Sequence, residues 1–490
     1  MNTPISHDDE RFFDVGLHRD AAQTVEDTIT HALTGPPALR DEDRNQHVTM
    51  LDSAAGAGKT RAVVDSIEAA CRAGARVLVA TPNNAQLSDL GCKVANRVGS
   101  DLKVVVLHRK GPWEGETALE GYDLTTTDDV ADTADADVVL STVKKVASVG
   151  EKMTQAGNFD LAVVDEGYQA SANDAAWTIR RARRVLVVGD DGQLKPFTTD
   201  PTHNLTGHID DPVLSLGHML DQRHGPNIAA AGGRHTLPLT RRLPATAEKL
   251  LSRFYPREVR AWTRPAARQA QAPPGGPASQ ASSWVWGAIG RGGWTHVTLP
   301  AATTDPEADL PMARAVAYAA AAAVQDGYQV YSETTAGRWE PLAAHRIAVL
   351  VTYQQQRRQV QSLLADLLPD RLQPVVGTAN TLQGAEFDAT IVWHPLAGAA
   401  EFNTFRGDTG RLAVMLSRHR HGCVVVGRDS DRDLFEHALP PLGQWDGTPA
   451  DTATSGWLTH RAVFTDLQPF NHPVCTIEPL ETRHHTRFAA

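Results

Sequence analysis

Short runs of consecutive apolar residues recur along the first half of the chain, separated by segments long enough for a helix. Six such runs occupy residues 48–51, 77–80, 104–107, 138–140, 161–164 and 185–188. Continuously apolar runs of this length are typical of parallel strands that are buried on both faces. The pattern therefore predicts a doubly wound α/β domain, with helices covering both sides of a parallel sheet.

A second set of apolar runs follows at residues 347–351, 375–377, 390–393 and 423–426, after an alanine-rich helical stretch at 312–324. A chain of 490 residues, 41% of them hydrophobic, can form two domains with cores of their own. We therefore predict two α/β domains in tandem. The predicted boundaries are an acidic tail at 1–16, an N-terminal domain at 17–225 with a small insertion at 109–135, a C-terminal domain at 226–442 with a flexible loop at 265–283, and a C-terminal tail at 443–490.

The first apolar run leads into a loop of small residues and then into Gly58, Lys59 and Thr60, followed by helix-favouring residues. Backbone N–H groups of such a loop can wrap a phosphate at the start of a helix. Lys59 would reach the β- and γ-phosphates of ATP, and the Thr60 hydroxyl would bind Mg²⁺. The pattern departs from the usual one at Ser53, where a glycine is expected. A chance match in a linker is the alternative, which the flanking strand and helix disfavour.

Polar residues also follow the later strands of this domain, at the sheet edge where functional residues gather. Asp165 can hold Mg²⁺, and Glu166 can polarise a water molecule that attacks the γ-phosphate. Gln193, after the next strand, can hydrogen-bond the γ-phosphate or that water. The alternatives are a strand that simply ends at the solvent for the acidic pair, and a polar turn for Gln193.

Phosphoryl transfer also requires cations that stabilise the charge of the transition state. Candidates are Arg242 and Arg418, the second of which lies in a stretch that we predict to be helical from Arg411 to Arg420. Arg411 and Arg418 would then lie two turns apart on one face. A solvated basic helix explains the same pattern equally well.

Charge and cysteine content narrow the class of protein. The net charge is −11 and the pI is about 6.0, so nucleic acid would have to bind in a local cleft instead of on a basic face. The four cysteines form no C-x-x-C pair, which argues against zinc and fits a reducing cytoplasm. We expect no signal peptide, because the N-terminus is acidic, and no membrane span, because no apolar run reaches 18 residues.

In their order along the chain these stretches resemble the motifs of superfamily 1 helicases, closest to the branch of the nonsense-mediated-decay and RecD-type helicases. The resemblance covers about residues 17–435 and implies two RecA-like P-loop NTPase domains. The matching stretches are Gln23, 53–60, 80–85, 140–142, 165–169, 189–194, 240–242, 351–356, 377–388 and 412–420. Each is a weak signal alone, whereas the whole set in the family's order is highly specific.

The resemblance implies a role for each matching residue. Catalytic roles fall on Lys59, Glu166 and Gln193, with Arg242 and Arg418 as arginine fingers that reach ATP from the second domain. Mg²⁺ would be held by Thr60 and Asp165. Nucleotide contacts fall on Gln23, Ser53, Ala54, Ala55, Gly56, Ala57, Gly58, Lys59, Thr60, Arg241, Gly384 and Glu386. Nucleic-acid contacts fall on Thr81, Pro82, Asn83, Ser141, Thr142, Tyr353, Thr378 and Thr381.

Some features depart from the family. Arg241 stands where the family often has a tyrosine that stacks on adenine; its planar guanidinium can also stack. Accessory insertions are small, and Trp284, Trp286 and Trp294 occur after the proline-rich loop. These tryptophans can stack on bases, but we expect them to pack in the core or against loops. His419 and His421 lack partners at ligand spacing, so we expect exposed helix histidines.

The sequence thus predicts a cytoplasmic ATPase that moves on single-stranded DNA or RNA, with DNA and 5′→3′ movement favoured by the resemblance. The alternative is a nucleotide-dependent switch subunit that binds nucleic acid within a larger protein assembly, such as a defence or plasmid system, without unwinding it. A simple P-loop kinase is a weaker third hypothesis, which the second α/β domain disfavours. Stimulation of ATP hydrolysis by nucleic acid distinguishes the motor from the switch.

Overall fold

The structure, a computed structural model, divides the chain into a first unit of residues 16–239 and a second unit of residues 1–15 and 240–490. It describes residues 9–40, 45–113, 115–196, 211, 213–302, 305, 307–335, 337–403, 405–437, 452–474 and 476–478. The predicted domain boundary at 225/226 falls inside the helix Leu216–Ala230. The division lies later because the strand Arg234–Leu237 still pairs with the first sheet.

The first unit is built on a nine-stranded sheet, as counted over its described residues. Its strands are β1 (Leu39–Arg40), β2 (Asn45–Ser53), β3 (Val77–Thr81), β4 (Val104–Leu107), β5 (Thr125–Thr127), β6 (Val138–Thr142), β7 (Phe159–Asp165), β8 (Ala182–Gly189) and β9 (Arg234–Leu237). Their order is β1-β2-β8-β7-β3-β6-β4-β5, with β9 also on β2. Only β1 is antiparallel to its neighbour among these pairs.

Helices alternate with these strands along the chain, as the apolar runs predicted. They are α1 (Val15–Thr34), α2 (Lys59–Arg72), α3 (Asn84–Val98), α4 (Val143–Val149), α5 (Ala172–Ile179) and α6 (Leu216–Ala230). Every residue of β3 and β4 is buried, because side chains on both faces of these strands meet apolar neighbours. The doubly wound α/β prediction is confirmed for this unit. The predicted insertion at 109–135 contributes the edge strand β5.

The second unit contains a six-stranded parallel sheet in the order β17-β16-β18-β19-β13-β20 and a smaller antiparallel sheet, β12-β14-β15, over its described residues. Its strands are β10 (Leu239–Thr240), β11 (Arg260–Ala261), β12 (Gln269–Gln271), β13 (Trp294–Leu299), β14 (Gln329–Tyr331), β15 (Trp339–Pro341), β16 (Ile347–Val351), β17 (Val375–Thr378), β18 (Phe387–Trp393), β19 (His419–Arg428) and β20 (Asn471–Pro473). The prediction of a second parallel α/β domain is confirmed.

Six α-helices are described in the second unit: α7 (Glu248–Leu251), α8 (Gln280–Ile289), α9 (Leu310–Gln325), α10 (Gln354–Leu367), α11 (Thr409–Leu416) and α12 (Thr452–Leu467). The alanine-rich α9 is buried along most of its length within the main apolar core. Small side chains let a helix pack closely on every side, which explains its composition. No helix among the described residues is long and apolar enough to cross a membrane.

Two segments predicted to be loose carry defined structure. The predicted flexible loop at 265–283 contains β12 and the start of α8. Within the predicted acidic tail, residues 1–8 lie outside the described residues, whereas Phe13 is fully buried and stacks on Trp262 with ring centroids 4.2 Å apart. Both segments are ordered by contacts with distant parts of the chain, which local composition does not reveal. Of the predicted C-terminal tail, residues 452–474 and 476–478 are described and include α12.

The three tryptophans that follow residues 265–283 pack in the second unit, as expected. Trp284 and Trp294 are buried, and Trp286 stacks with Tyr328 at a centroid separation of 6.2 Å.

The end of the predicted helix from Arg411 to Arg420, with exposed His419 and His421, is wrong. Helix α11 ends at Leu416, and β19 begins at His419, which pairs with Phe387 of β18. Both histidines are buried on this strand. The apolar run at 423–426 is thus the end of a longer interior strand, whose polar first residues resemble a helix end in sequence.

Buried histidines of the second unit should make its stability depend on pH. Burial lowers the pKa of His296 to about 4 and that of His419 to about 3, because the imidazolium is poorly solvated there. Unfolded histidine takes up protons below pH 6.5, whereas these remain neutral, so their contribution to stability is lost as pH falls from 6.5 toward 4.

Replacing His296 by leucine should therefore flatten the pH dependence of unfolding. Between pH 4.5 and 6 the slope of the unfolding free energy should fall by about 1.4 kcal/mol per pH unit, one proton equivalent. Urea unfolding followed by tryptophan fluorescence at several pH values measures that slope. His345→Leu, at an exposed position, is the matched control, and an equal change of slope in both variants would contradict the assignment.

Candidate functional site

The loop between β2 and α2 has the backbone of an anion-binding turn. Gly56 and Gly58 adopt φ values of 76° and 104°, which residues with a Cβ rarely tolerate. The loop is closed by the N–H of Ala57, which donates to the carbonyl of Ala54 at 3.2 Å. Helix α2 begins directly afterwards at Lys59, so its unpaired N–H groups and dipole face the loop. The structure thus has the strand, loop and helix that residues 48–65 predicted.

Ser53 fits the position where a glycine was expected. Its side chain is fully buried, and its hydroxyl donates to the carbonyl of Gly189 at 3.0 Å. That bond ties the end of β2 to the end of β8, which precedes Gln193. The departure from the usual pattern therefore adds an anchor to the loop.

Lys59 lies between acidic side chains that come from two later strand ends. Its Nζ is 3.5 Å from Oδ2 of Asp190 and 3.7 Å from Oε1 of Glu166. Asp190 also accepts hydrogen bonds from the Gln193 amide and from the backbone N–H of Gly192. Lys59 thus contacts both Glu166 and Asp190, and Gln193 binds the same Asp190. The sequence reasoning did not single out Asp190, although its place directly after β8 marked it as a strand-end residue.

Glu166 has an unusual backbone for a residue with a side chain. Its φ is 53°, in the left-handed region, a conformation that costs about 1–3 kcal/mol and tends to occur at functional sites. Its N–H donates to Oδ1 of Asp165 at 3.0 Å, and its Oε2 accepts from Nε2 of Gln169 at 2.9 Å. One hydrogen bond therefore holds the backbone of Glu166 and another holds its side chain.

Asp165 is buried at the end of β7. Its burial, together with the charge of the adjacent Glu166, raises its pKa above the usual range. A buried carboxylate of this kind gains stability from a cation, so the donor set fits Mg²⁺, with Asp165 and the Thr60 hydroxyl as the residues that would hold it.

A second buried network holds the end of β2, the strand that leads into the loop. The Tyr168 hydroxyl donates to Asp52 at 2.6 Å and to Asp221 at 3.2 Å. Arg234 of β9 pairs with Asp52 at 2.6 Å. Asp52 directly precedes Ser53, so this network fixes the end of the strand that carries the loop. Tyr168 lies in the 165–169 stretch, but sequence alone could not show that its ring points inward.

Gln23, which the resemblance assigns to adenine, lies on the exposed side of α1. Its amide donates to Asp27 at 2.9 Å, one helical turn away.

In the second unit, the two candidate arginine fingers converge on Ser417. Arg242 donates to the Ser417 carbonyl at 3.1 Å, and Arg418 donates to the Ser417 hydroxyl at 3.0 Å. Arg242 also pairs with Glu386 at 2.8 Å. Arg418 is 1% exposed and makes a further bond to the Val414 carbonyl at 3.1 Å. The structure therefore gathers residues from three distant stretches of the second unit.

Glu386 is surrounded by guanidinium groups. Desolvation acts to raise its pKa, but Arg242 and Arg420 outweigh it and lower the pKa to about 2. Glu386 is therefore a carboxylate at neutral pH, an acceptor suited to the hydroxyls of a ribose.

Arg268 is a structural centre of this cluster that the sequence reasoning missed. Its guanidinium pairs with Glu333 at 2.5 Å and donates to the carbonyls of Arg241, Arg242 and Arg420. Arg420 is bound to Glu333 at 3.2 Å as well. Arg268 lies next to β12, inside the segment predicted to be a flexible loop, so no periodic pattern identified it.

Arg241 stacks within the protein. Its guanidinium carbon lies 4.9 Å from the ring centroid of Trp262, the tryptophan that also contacts Phe13. The planar group therefore has an aromatic partner in its own unit.

Gly384 adopts a φ of 84° in the turn that precedes Glu386.

The predicted nucleic-acid residues of the first unit lie at two neighbouring strand ends, where Thr81 of β3 pairs in register with Thr142 of β6. Thr81 and Ser141 are fully buried, and their hydroxyls donate to the carbonyls of Asn83 and Leu107. The more accessible members are Pro82, Asn83 and Thr142.

The corresponding residues of the second unit also lie at neighbouring strand ends. Thr378 ends β17 and is joined to Thr381 by hydrogen bonds within one turn, and Tyr353 follows β16. The Tyr353 ring contacts Phe405 at 5.6 Å. Phe405, which is 50% exposed and lies under the guanidinium of Arg411 at 4.2 Å, was not predicted. A phenylalanine in a polar segment gives no sequence signal that it will lie exposed beside Tyr353 and Arg411.

Two sequence-family models, each described as an AAA domain, match the chain. One matches residues 124–200 and the other matches residues 307–430. The first range contains Asp165, Glu166 and Gln193, and the second contains Glu386 and Arg418. No curated protein matches the chain.

Solved structures with similar folds include the PRRSV helicase, at 12% identity and a TM-score of 0.38, covering 86% of this chain and 58% of that one. A complex of the arterivirus helicase, nonstructural protein 10, with DNA has 13% identity and a TM-score of 0.39, covering 84% and 64%. The DUF1998 helicase MrfA bound to DNA and AMPPNP has 12% identity and a TM-score of 0.38, covering 88% and 52%. The chain thus spans between half and two thirds of their lengths, and similarity at this level adds no argument about function.

Proposed function

We propose that the chain belongs to superfamily 1 of the helicases and is an ATP-driven motor that moves along single-stranded nucleic acid. The observation that carries the proposal is the cluster at the phosphate loop, where Lys59 meets Glu166 and Asp190, with Gln193 on Asp190. These are the charges and donors that phosphoryl transfer to water requires, placed around one loop.

Each residue that the resemblance assigns to the ATP site has one part in hydrolysis. The loop amides and Lys59 bind the β- and γ-phosphates of ATP. A bound Mg²⁺ supplies positive charge against the phosphate oxygens, and Thr60 and Asp165 would hold it. Glu166 orients and deprotonates the attacking water, and Gln193 positions the γ-phosphate or that water. Arg242 and Arg418 stabilise the charge that develops on the transferred group, and Glu386 binds the ribose.

The strand-end residues Asn83, Thr142 and Thr381 offer amide, hydroxyl and nearby backbone groups to a phosphate backbone. Contacts of this kind carry no sequence information, so binding should tolerate any sequence. The half-exposed ring of Phe405 beside Tyr353 is suited to stacking on a base. Neutral donors also agree with a net charge of −11.

We further propose that the strand is DNA and that movement is 5′→3′. Both proposals rest on the resemblance to the branch that includes the RecD-type helicases. The alternative, a nucleotide-dependent switch without unwinding, would use the same ATP site but would not couple hydrolysis to a strand.

Single-stranded DNA or RNA should increase the rate of ATP hydrolysis at least tenfold, and Lys59→Ala should remove both basal and stimulated turnover. Loss of the ammonium removes the cation that holds the phosphates during transfer. The measurement is phosphate release with and without each polymer. The matched control is Lys103→Ala, at a surface lysine that pairs with Asp135.

ATP hydrolysis that neither polymer stimulates would contradict the motor and favour the switch. Strand displacement from duplexes with 5′ or 3′ single-stranded tails then decides polarity, with unwinding of the 5′-tailed duplex as the expected result.

A further inference from the structure

We propose that Gln86 and Gln169 form a relay that couples a strand bound at the end of β3 to Glu166. The inference rests on the proposed function, because it concerns how nucleic acid would accelerate hydrolysis at the same site. Both glutamines belong to the first unit, and neither was assigned a role by sequence.

The inner half of the relay is a pair of hydrogen bonds that ends on the carboxylate. Nε2 of Gln169 donates to Oε2 of Glu166 at 2.9 Å, and its Oε1 accepts from Nε2 of Gln86 at 3.2 Å. Both bonds are partly buried, so they are shielded from competition with water. Oε1 of Glu166 in turn lies 3.7 Å from Nζ of Lys59. The direction in which the Glu166 carboxylate points therefore depends on Gln169, and that of Gln169 depends on Gln86.

The outer half connects Gln86 to the surface. Gln86 lies in the first turn of α3, and its backbone N–H donates to the side-chain oxygen of Asn83 at 3.0 Å, as in a helix N-cap. The Thr81 hydroxyl donates to the Asn83 carbonyl at 3.1 Å. Asn83 is exposed. A strand phosphate that engages Asn83 would compete for this cap and shift the turn that carries Gln86.

Two features indicate that the Gln86–Gln169–Glu166 chain can adopt two arrangements instead of a single fixed one. The first is the left-handed backbone of Glu166, which stores strain beside the reacting water. The second is Oε1 of Gln86, a buried acceptor for which the described residues supply no hydrogen bond. An unpaired buried acceptor costs about 1–3 kcal/mol, so a rearrangement that satisfies it is energetically accessible. Binding energy at Asn83 can then select between two positions of the Glu166 carboxylate.

Gln86→Ala should lower the ratio of strand-stimulated to basal turnover at least fivefold. Affinity for a fluorescent single-stranded oligonucleotide, measured by anisotropy, should stay within about twofold of wild type. A residue that only stiffens the fold would not separate these two measurements. Asn96→Ala, which removes an exposed amide from the same helix, is the matched control and should keep the wild-type ratio.

The double variant of Gln86 and Gln169 tests whether the two act in one chain. Gln169→Ala alone should also lower the ratio, and adding Gln86→Ala should cause no further loss, because neighbours in one network are not additive. Full stimulation in Gln86→Ala, or losses that multiply in the double variant, would overturn the relay. If DNA and RNA do not stimulate the wild type, the motor and the relay both fail, whereas full stimulation in both the wild type and Gln86→Ala overturns the relay alone.

Discussion

Arg418→Ala should lower the turnover number for ATP hydrolysis by about 10³- to 10⁵-fold while ATP binding remains measurable. The guanidinium is needed most when charge moves onto the transferred phosphoryl group, so its loss affects the transition state more than the ground state. Turnover with saturating single-stranded nucleic acid and binding of a fluorescent ATP analogue measure the two effects separately.

The surroundings of Arg418 determine how the variant must be controlled. Its side chain is buried and held by Val414 and Ser417, so alanine also removes packing. Arg418→Lys keeps the charge but not the planar fork and should lose most of the activity as well. Arg432→Ala, at an exposed position of the same unit, is the matched control. Strand-stimulated ATP hydrolysis that survives in a folded Arg418→Ala protein would remove this residue from the mechanism.

Six of the nine strands described in the first sheet and four of the six in the second could be predicted, because most of their side chains are buried and apolar. Such strands occur in the sequence as apolar runs, and functional residues gather where parallel strands end. On this basis the sequence predicted Lys59, Glu166 and Gln193 at one edge of the sheet. The structure connects these three, because Asp190 contacts Lys59 and Gln193 and Lys59 also contacts Glu166. What the sequence reasoning did not supply was the centre of that group, since Asp190 differs from other strand-end acids only in what surrounds it.

The rest of the site depends on contacts between distant residues. Arg268 joins the stretches around Arg242 and Arg420, and it lies in a segment whose proline, alanine and glycine content predicts a loop. The strands β12, β14 and β15 have three residues each, too few to show a period. His419 was assigned to a helix because its polar neighbours hide the start of β19. In each case partners far along the chain override the local pattern.

Glu166→Gln should lower the turnover number by about 10²- to 10⁴-fold, the contribution of a general base, and leave ATP binding intact. The neutral amide keeps the size of the side chain but cannot take the proton of the attacking water. Removing a negative charge beside the γ-phosphate also lessens repulsion, so affinity for ATP should stay the same or increase. Equilibrium binding of an ATP analogue and single-turnover hydrolysis test the two parts.

The structure predicts how this variant differs from Lys59→Ala. Lys59 contacts both Asp190 and Glu166. Replacing it by alanine removes the cation that we assign to the phosphates, so ATP affinity should fall. In Glu166→Gln that cation remains, and binding and hydrolysis separate. Glu151→Gln makes the same chemical change at a side chain that is 80% exposed and is the control. Equal losses of ATP affinity in Glu166→Gln and Lys59→Ala would indicate that Glu166 supports phosphate binding and does not activate the attacking water.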